Sequence, residues 1–163
     1  MRISTRLSTS QARITSTLVL AFLMGVAFGA GRATAAPIGW QLSGGLYTDS
    51  EDFFLGAGAR FGLASITLIP NAEYLFVDSG TTYTLNLDGT LSVLPLGVAS
   101  AYVGAGLGLI TVDPEVGDSN TDTGLNLMVG VGLNASPLKP FAQLKTVVMD
   151  GDDPLVLSIG ARF

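Results

Sequence analysis

From Ile38 onward, apolar residues alternate with polar or very small ones, and the alternation returns in segment after segment of the chain. A β-strand points successive side chains to opposite faces, so a two-residue period gives one apolar face and one polar face; an amphipathic helix needs a period near 3.6. Between 53 and 63, Phe53, Leu55, Ala57, Ala59, Phe61 and Leu63 share a face, and Phe54, Gly56, Gly58, Arg60 and Gly62 share the other. Tyr83, Leu85, Leu87, Leu91 and Val93 likewise oppose Thr84, Asn86, Asp88, Thr90 and Ser92. Leu125, Leu127, Val129, Val131 and Leu133 oppose Asn126, Met128, Gly130, Gly132 and Asn134. The pattern predicts eight strands, at 38–48, 53–63, 64–77, 82–94, 99–112, 124–134, 139–149 and 154–163. The seventh is the least regular, because Phe141 shares a face with Gln143 and Lys145.

The first thirty-five residues have a different grammar. Arg2, Arg6 and Arg13 form a basic start, an apolar stretch centres on Leu18 to Phe28, and Ala33-Thr34-Ala35 matches a small-x-small cleavage site. This reads as a secretory signal peptide over 1–35, cut after Ala35 or Ala36, ahead of a single domain over 36–163. An uncleaved anchor is the competing reading, since 14–31 carries no charge; the small residues and the cleavage pattern favour removal. Four of the eight basic residues (Arg2, Arg6, Arg13 and Arg32) lie in this leader, leaving four against thirteen acidic residues in the domain. Nucleic acid is excluded as a partner, because binding it needs clustered Lys and Arg. With no Cys there is neither a disulfide framework nor a thiolate site.

The connections fall into two alternating sets. Those at 62–64, near 95–97 and at 134–138 are short and bland, while those at 49–52, 78–82, 113–123 and 150–153 are acidic. Eleven of the thirteen acidic residues belong to the second set, leaving Glu73 and Asp88 within strands. Aromatics gather at both strand ends: Trp40, Phe61, Tyr102, Phe141 and Phe163 at one, Tyr47, Phe53, Phe54, Tyr74, Phe76 and Tyr83 at the other. Two such belts are what membrane–water interfaces select.

The last strand places Leu155, Leu157, Ile159, Ala161 and Phe163 on one face and Val156, Ser158, Gly160 and Arg162 on the other. An alternating strand that stops on an aromatic resembles the C-terminal insertion signal of bacterial outer-membrane barrels, with Leu155, Leu157, Ile159, Gly160 and Phe163 as its residues. Residues 36–163 as a whole resemble the small eight-stranded outer-membrane barrels of the OmpA/OmpX type. The resemblance implies an all-β fold, an eight-stranded antiparallel up-and-down transmembrane β-barrel behind a cleavable signal peptide. It also implies a bacterial outer-membrane location with both termini in the periplasm and the acidic loops outside. The implied partners are outer-membrane lipid, lipopolysaccharide, and the barrel-assembly machinery acting through the C-terminal strand. The chain departs from that group in its short outer loops and the lack of an appended periplasmic domain, which weakens adhesion and peptidoglycan anchoring as roles.

With lipid covering the apolar faces, strand parity turns Arg60, Glu73, Asp88, Lys145 and Arg162 toward the barrel axis. Eight strands enclose a space just wide enough for side chains to fill, so these five are expected to form an interior charge network, with Arg60 meeting Glu73 across the second hairpin. Inward glycines such as Gly56, Gly58, Gly106 and Gly130 are expected to leave room for larger polar neighbours.

Chemistry finds little purchase. The absence of His removes His-based triads and the usual general base, and sets the chain apart from the lipid A acyltransferase and deacylase barrels of the outer membrane. Gly56-Ala-Gly58 and Gly104-Ala-Gly-Leu-Gly108 continue strands and lack the following helix a nucleotide site requires. In Asp118 to Gly124 the glycine comes one position late for a calcium loop and the closing Glu is missing, so the segment reads as a solvated acidic loop. No catalytic residue, cofactor or metal is therefore expected. The sequence points to a non-enzymatic integral outer-membrane protein with a structural or surface-interaction role. A narrow channel for ions or small solutes is the second reading. A soluble lipocalin-like carrier, with the two faces inverted, is the third.

Overall fold

A computed structural model describes residues 38–63, 65–134, 137–149 and 153–163; the leader predicted over 1–35 lies outside the described residues. The eight strands are β1 (Ile38–Tyr47), β2 (Asp52–Leu63), β3 (Ile66–Phe76), β4 (Thr81–Leu96), β5 (Ala99–Asp113), β6 (Asn120–Leu133), β7 (Lys139–Val148) and β8 (Leu155–Arg162). Each pairs antiparallel with the next, and β1 pairs with β8, so the sheet closes into a barrel with no free edge. Closure leaves every strand's backbone groups a neighbour on both sides, which a sheet surrounded by lipid requires.

The closing seam is short. Its register runs from Gln41↔Arg162 to Tyr47↔Val156, whereas β4–β5 runs from Thr81↔Asp113 to Leu96↔Ala99. Backbone bonds flank the seam at each end: Trp40 N to Phe163 O (2.8 Å), Phe163 N to Trp40 O (3.0 Å) and Thr48 N to Leu155 O (2.8 Å). Leu42 meets Ala161 and Ser43 meets Gly160, so the outward row continues as outward and the inward row as inward. A one-residue slip would have turned every side chain of β8 to the wrong face.

Most strand ends shift by one or two residues from the sequence reading, and two of the differences, at β6 and β4, have distinct reasons. β6 starts at Asn120, because Asn120, Thr121, Asp122 and Thr123 pair with Val112, Thr111, Ile110 and Leu109. That stretch is exposed and polar on both faces, so its pairing leaves no apolar alternation to read. Asp122, and at strand ends Asp52 and Asp113, accordingly lie within strands and not in connections. β4 continues to Leu96 through an irregularity between Ser92 and Leu94, which leaves Val93 and Leu94 both exposed in succession. Gly97 follows with φ +70°, a left-handed backbone that suits glycine in the tight turn to β5.

Parity sorts the faces throughout. β6 reads as strict alternation from Gly124 to Leu133, with Asn126 and Met128 buried and Leu125, Leu127, Val129 and Val131 exposed. Leu85, Leu127 and Leu157 are each at least 42% exposed, whereas Lys145 is 2% exposed and Asn126 fully buried. Aromatic placement is split. Trp40, Phe61 and Phe163 at one end, and Phe53, Tyr74, Phe76 and Tyr83 at the other, are exposed and form two outward belts. Tyr47, Phe54, Tyr102 and Phe141, read from sequence as belt residues, are buried inside. Their even or odd position on the strand, and not their distance from a turn, decides this.

Candidate functional site

The interior is layered along the axis. Both β1 and β8 reach the same end of the barrel, here called the terminal end, and the connections β1–β2, β3–β4 and β5–β6 lie at the other, the loop end. Just inside the loop end lies an apolar cluster of Tyr47, Phe54, Leu75, Val147 and Val156, with Val77, Ile110 and Met149 against it. The Tyr47 and Phe54 rings meet edge to face, 5.7 Å apart at 78°.

Beneath this cluster lies a continuous polar web. Glu73 is its hub: Lys145 Nζ approaches Glu73 Oε1 at 2.8 Å, and the Tyr47 and Thr84 hydroxyls donate to Glu73 Oε2 at 2.9 and 3.1 Å. Asn86 Nδ2 donates to Thr84 Oγ1 (2.9 Å) and to Asn71 Oδ1 (3.1 Å). Asp88 has no cation within 4.0 Å among the described residues and is held by amides, from Asn71 Nδ2 at 2.8 Å and Asn126 Nδ2 at 2.9 Å. Asn126 Nδ2 also reaches Asn86 Oδ1 at 2.9 Å, and its own Oδ1 is buried with no partner. A buried carboxylate in a low-dielectric interior must be solvated by protein donors, and here two asparagines, a threonine, a tyrosine and a lysine replace water.

The terminal end holds the remaining inward charges. Arg60 Nη1 donates to Gln41 Oε1 at 3.1 Å. The Arg162 guanidinium lies over two rings, 4.6 Å from the centre of Tyr102 and 4.4 Å from that of Phe141. The Tyr102 hydroxyl donates to Gln143 Oε1 at 3.1 Å. Arg60 does not meet Glu73. The β2–β3 register sets Glu73 opposite Gly56, while Arg60 lies four residues further along β2. The register from Gly58↔Asn71 to Phe61↔Leu68 sets Arg60 opposite Ile69, which is itself opposite Asp88. Buried Ile69 thus stands between Arg60 and Asp88, and two strand spacings of about 4.8 Å each keep the charges apart.

The five charges read from the sequence therefore fall into two groups: Glu73, Asp88 and Lys145 in the middle layer, Arg60 and Arg162 at the terminal end. Of the residues read as an insertion signal, Leu155, Leu157 and Ile159 line the outer face of β8, Gly160 faces inward, and Phe163 is exposed at the terminal end. The asparagines, Tyr47, Thr84 and the Tyr102–Phe141 cradle carry much of the interior without having been singled out. Their signal was present, since each lies on the polar or glycine-bearing face of its strand.

Inward glycines are matched to inward rings. Gly45 pairs with Phe54, Gly130 with Tyr102 and Gly160 with Phe141, each directly across a strand pair. A Cβ on any of the three would collide with the facing ring. The space these glycines leave is thus taken by aromatic rings, where polar neighbours were expected. Gly56 and Gly106 do make room for polar partners, being crowded by Glu73 and Asp88 respectively.

No family profile and no curated protein matches the chain. Solved structures do. The N-terminal β-barrel domain of Pseudomonas aeruginosa OprF superposes with a TM-score of 0.67 at 16% identity, over 77% of this chain and 95% of that one. Neisserial surface protein A superposes with a TM-score of 0.59 at 15% identity, over 77% and 92%. A de novo designed transmembrane β-barrel gives 0.56 at 15% identity, over 82% and 98%. Identities this low speak for the backbone alone. The described barrel has the fold of the small eight-stranded outer-membrane β-barrels.

Proposed function

We propose that this chain is a non-enzymatic integral protein of a bacterial outer membrane with a structural or surface-interaction role, its lumen closed by its own side chains. The observation that carries the reading is the pairing of an apolar outer wall with a solid interior. Leu85, Leu127 and Leu157 stand on the outside, and a stack of apolar, amide and charged layers fills the inside. In this reading the terminal end faces the periplasm and the acidic connections face outward, where divalent ions bridge them to lipopolysaccharide phosphates. Residues 1–35 act as the export signal, and Leu155, Leu157, Ile159, Gly160 and Phe163 present the chain to the assembly machinery. Arg60, Glu73, Asp88, Lys145 and Arg162 serve to hold the interior and to set its register.

A soluble carrier would bury its leucines around a dry pocket and show Lys145 to water; the exposed leucines and the buried lysine speak against it. An open channel is disfavoured by the apolar cluster across the loop end. The test is fractionation of expressing cells followed by electrophoresis with and without boiling. Recovery in the outer-membrane fraction with a heat-dependent shift in mobility is expected. Recovery in the soluble fraction without a shift would overturn the proposal.

A further inference from the structure

All four basic residues of the described barrel lie on three strands within a run of four neighbours, Lys139 and Lys145 on β7, Arg162 on β8 and Arg60 on β2, with β1 between the arginines. Lys145 is consumed by Glu73. The other three sit together at the terminal end without an acidic partner within 4.0 Å among the described residues. Lys139 is opposite Arg162 in the β7–β8 register and shares the parity of buried Phe141. Gln41 accepts from Arg60 and is opposite Arg162 in the β1–β8 register, so β1 sets a neutral amide between the two arginine-bearing strands. Gly39, opposite Arg60, carries no side chain, and the Arg60 stem lies over it.

Two features separate this cluster from a solvated rim. The Arg162 guanidinium is fixed between the Tyr102 and Phe141 rings, and its Nε is buried with no hydrogen-bond partner. Ring faces hold the cation by its planes and leave its N–H edges for another ligand. The neighbouring arginine is likewise half-buried, and its observed partner is a neutral amide. Like charges gathered in a half-dry mouth repel, and the arrangement is relieved by an anion.

We propose that the terminal-end mouth of the barrel is a binding site for a phosphate group, held by Arg60 and Arg162 with Lys139 at the entrance. A phosphate carries up to two charges and several acceptor oxygens, and arginine forks match its geometry in pairs. A single carboxylate would neutralise one of three cations. The phosphate comes either free from solution or on the headgroup of a phospholipid whose leaflet surrounds that end. The second source rests on the membrane orientation proposed above; the site itself does not.

The test uses protein extracted into a neutral, phosphate-free detergent and titrated with inorganic phosphate under phosphorus-31 NMR, with chloride matching the ionic strength. A parallel arm adds phosphatidylglycerol to the same micelles. Saturable binding is expected in at least one arm, weakened about tenfold by Arg60→Gln, in line with loss of one charge-assisted contact, and less by Lys139→Gln. Asp118→Asn at the loop end leaves it unchanged. Saturation with free phosphate identifies a soluble ligand; saturation with the lipid alone identifies the headgroup. No saturable binding in either arm, or binding indifferent to both substitutions, overturns the proposal. Arg60 and Lys139 lie outside the aromatic cradle, so the test survives if Arg162→Gln does not fold. Heat-dependent mobility is scored on the same samples, so loss of the site and loss of the barrel are read separately.

Discussion

Lys145 and Glu73 illustrate what one residue can cost inside this barrel. Both are nearly inaccessible, and the carboxylate has three donors around it. Lys145→Met leaves a buried charge without its counter-ion and is expected to destabilise the barrel by about 3–5 kcal/mol. Adding Glu73→Gln removes the orphaned charge and should return part of that loss. Urea unfolding in lipid vesicles, followed through the single tryptophan Trp40, measures both. Glycines carry a comparable constraint by another route. Gly130→Val drives a branched side chain into the Tyr102 ring and is expected to cost about 1–3 kcal/mol, and combined with Tyr102→Ala, which removes that ring, the loss should fall short of the sum of the two single losses. A double-variant loss equal to the sum of the two singles would show that the pair is not coupled. Sequence parity was enough to turn these residues inward, because parity is a local property of one strand. Which partner each one finds depends on register between strands far apart in the chain. Glu73 therefore met Lys145, seventy-two positions away, and not the nearby Arg60.

Strands were legible where one face was apolar and invisible where neither was. β6 gave its inner half to the alternation and hid Asn120 to Thr123, which pair with β5 through the backbone and one hydroxyl contact, Thr111 Oγ1 to Thr121 Oγ1 at 3.0 Å. The same logic fixes what each face of a strand tolerates. Leu127 is exposed midway along β6, with Asn126 and Met128 buried on the opposite face. Leu127→Arg puts a charge against acyl chains and is expected to cost about 2–4 kcal/mol in vesicles if it sits near the bilayer midplane. Val116→Arg, in the connection between β5 and β6 and 92% exposed, should change stability by no more than about 0.5 kcal/mol. The contrast is diagnostic: a water-soluble barrel would accept both substitutions, so a tolerated Leu127→Arg would refute the lipid-facing assignment of the strand's outer row.

Taken as a whole molecule, the barrel stacks three unlike materials along one axis, and conduction would have to defeat each of them. Ions would meet an apolar cluster at the loop end, then a web of asparagines and carboxylates with one lysine, then a cationic mouth. The sequence showed the charges but not the cluster, because Tyr47 and Phe54 read as belt aromatics by their nearness to a turn, although strand parity turns both inside. That cluster is what makes the lumen's closure redundant. Opening one layer leaves the others shut, since the middle web is held by donors from β1, β3, β4, β6 and β7 that no single substitution releases. The unmodified protein is accordingly expected to give no discrete current steps in planar bilayers. Phe54→Ala, which hollows the outermost layer, should also remain silent while losing about 3–5 kcal/mol of stability. Steps of uniform size from the unmodified protein would mean that the middle web parts on its own, and the barrel would have to be read as a gated pore. Silence from both, with the mobility shift on boiling retained, leaves the interior as scaffolding and sends the search for activity to the acidic loop end and the cationic mouth.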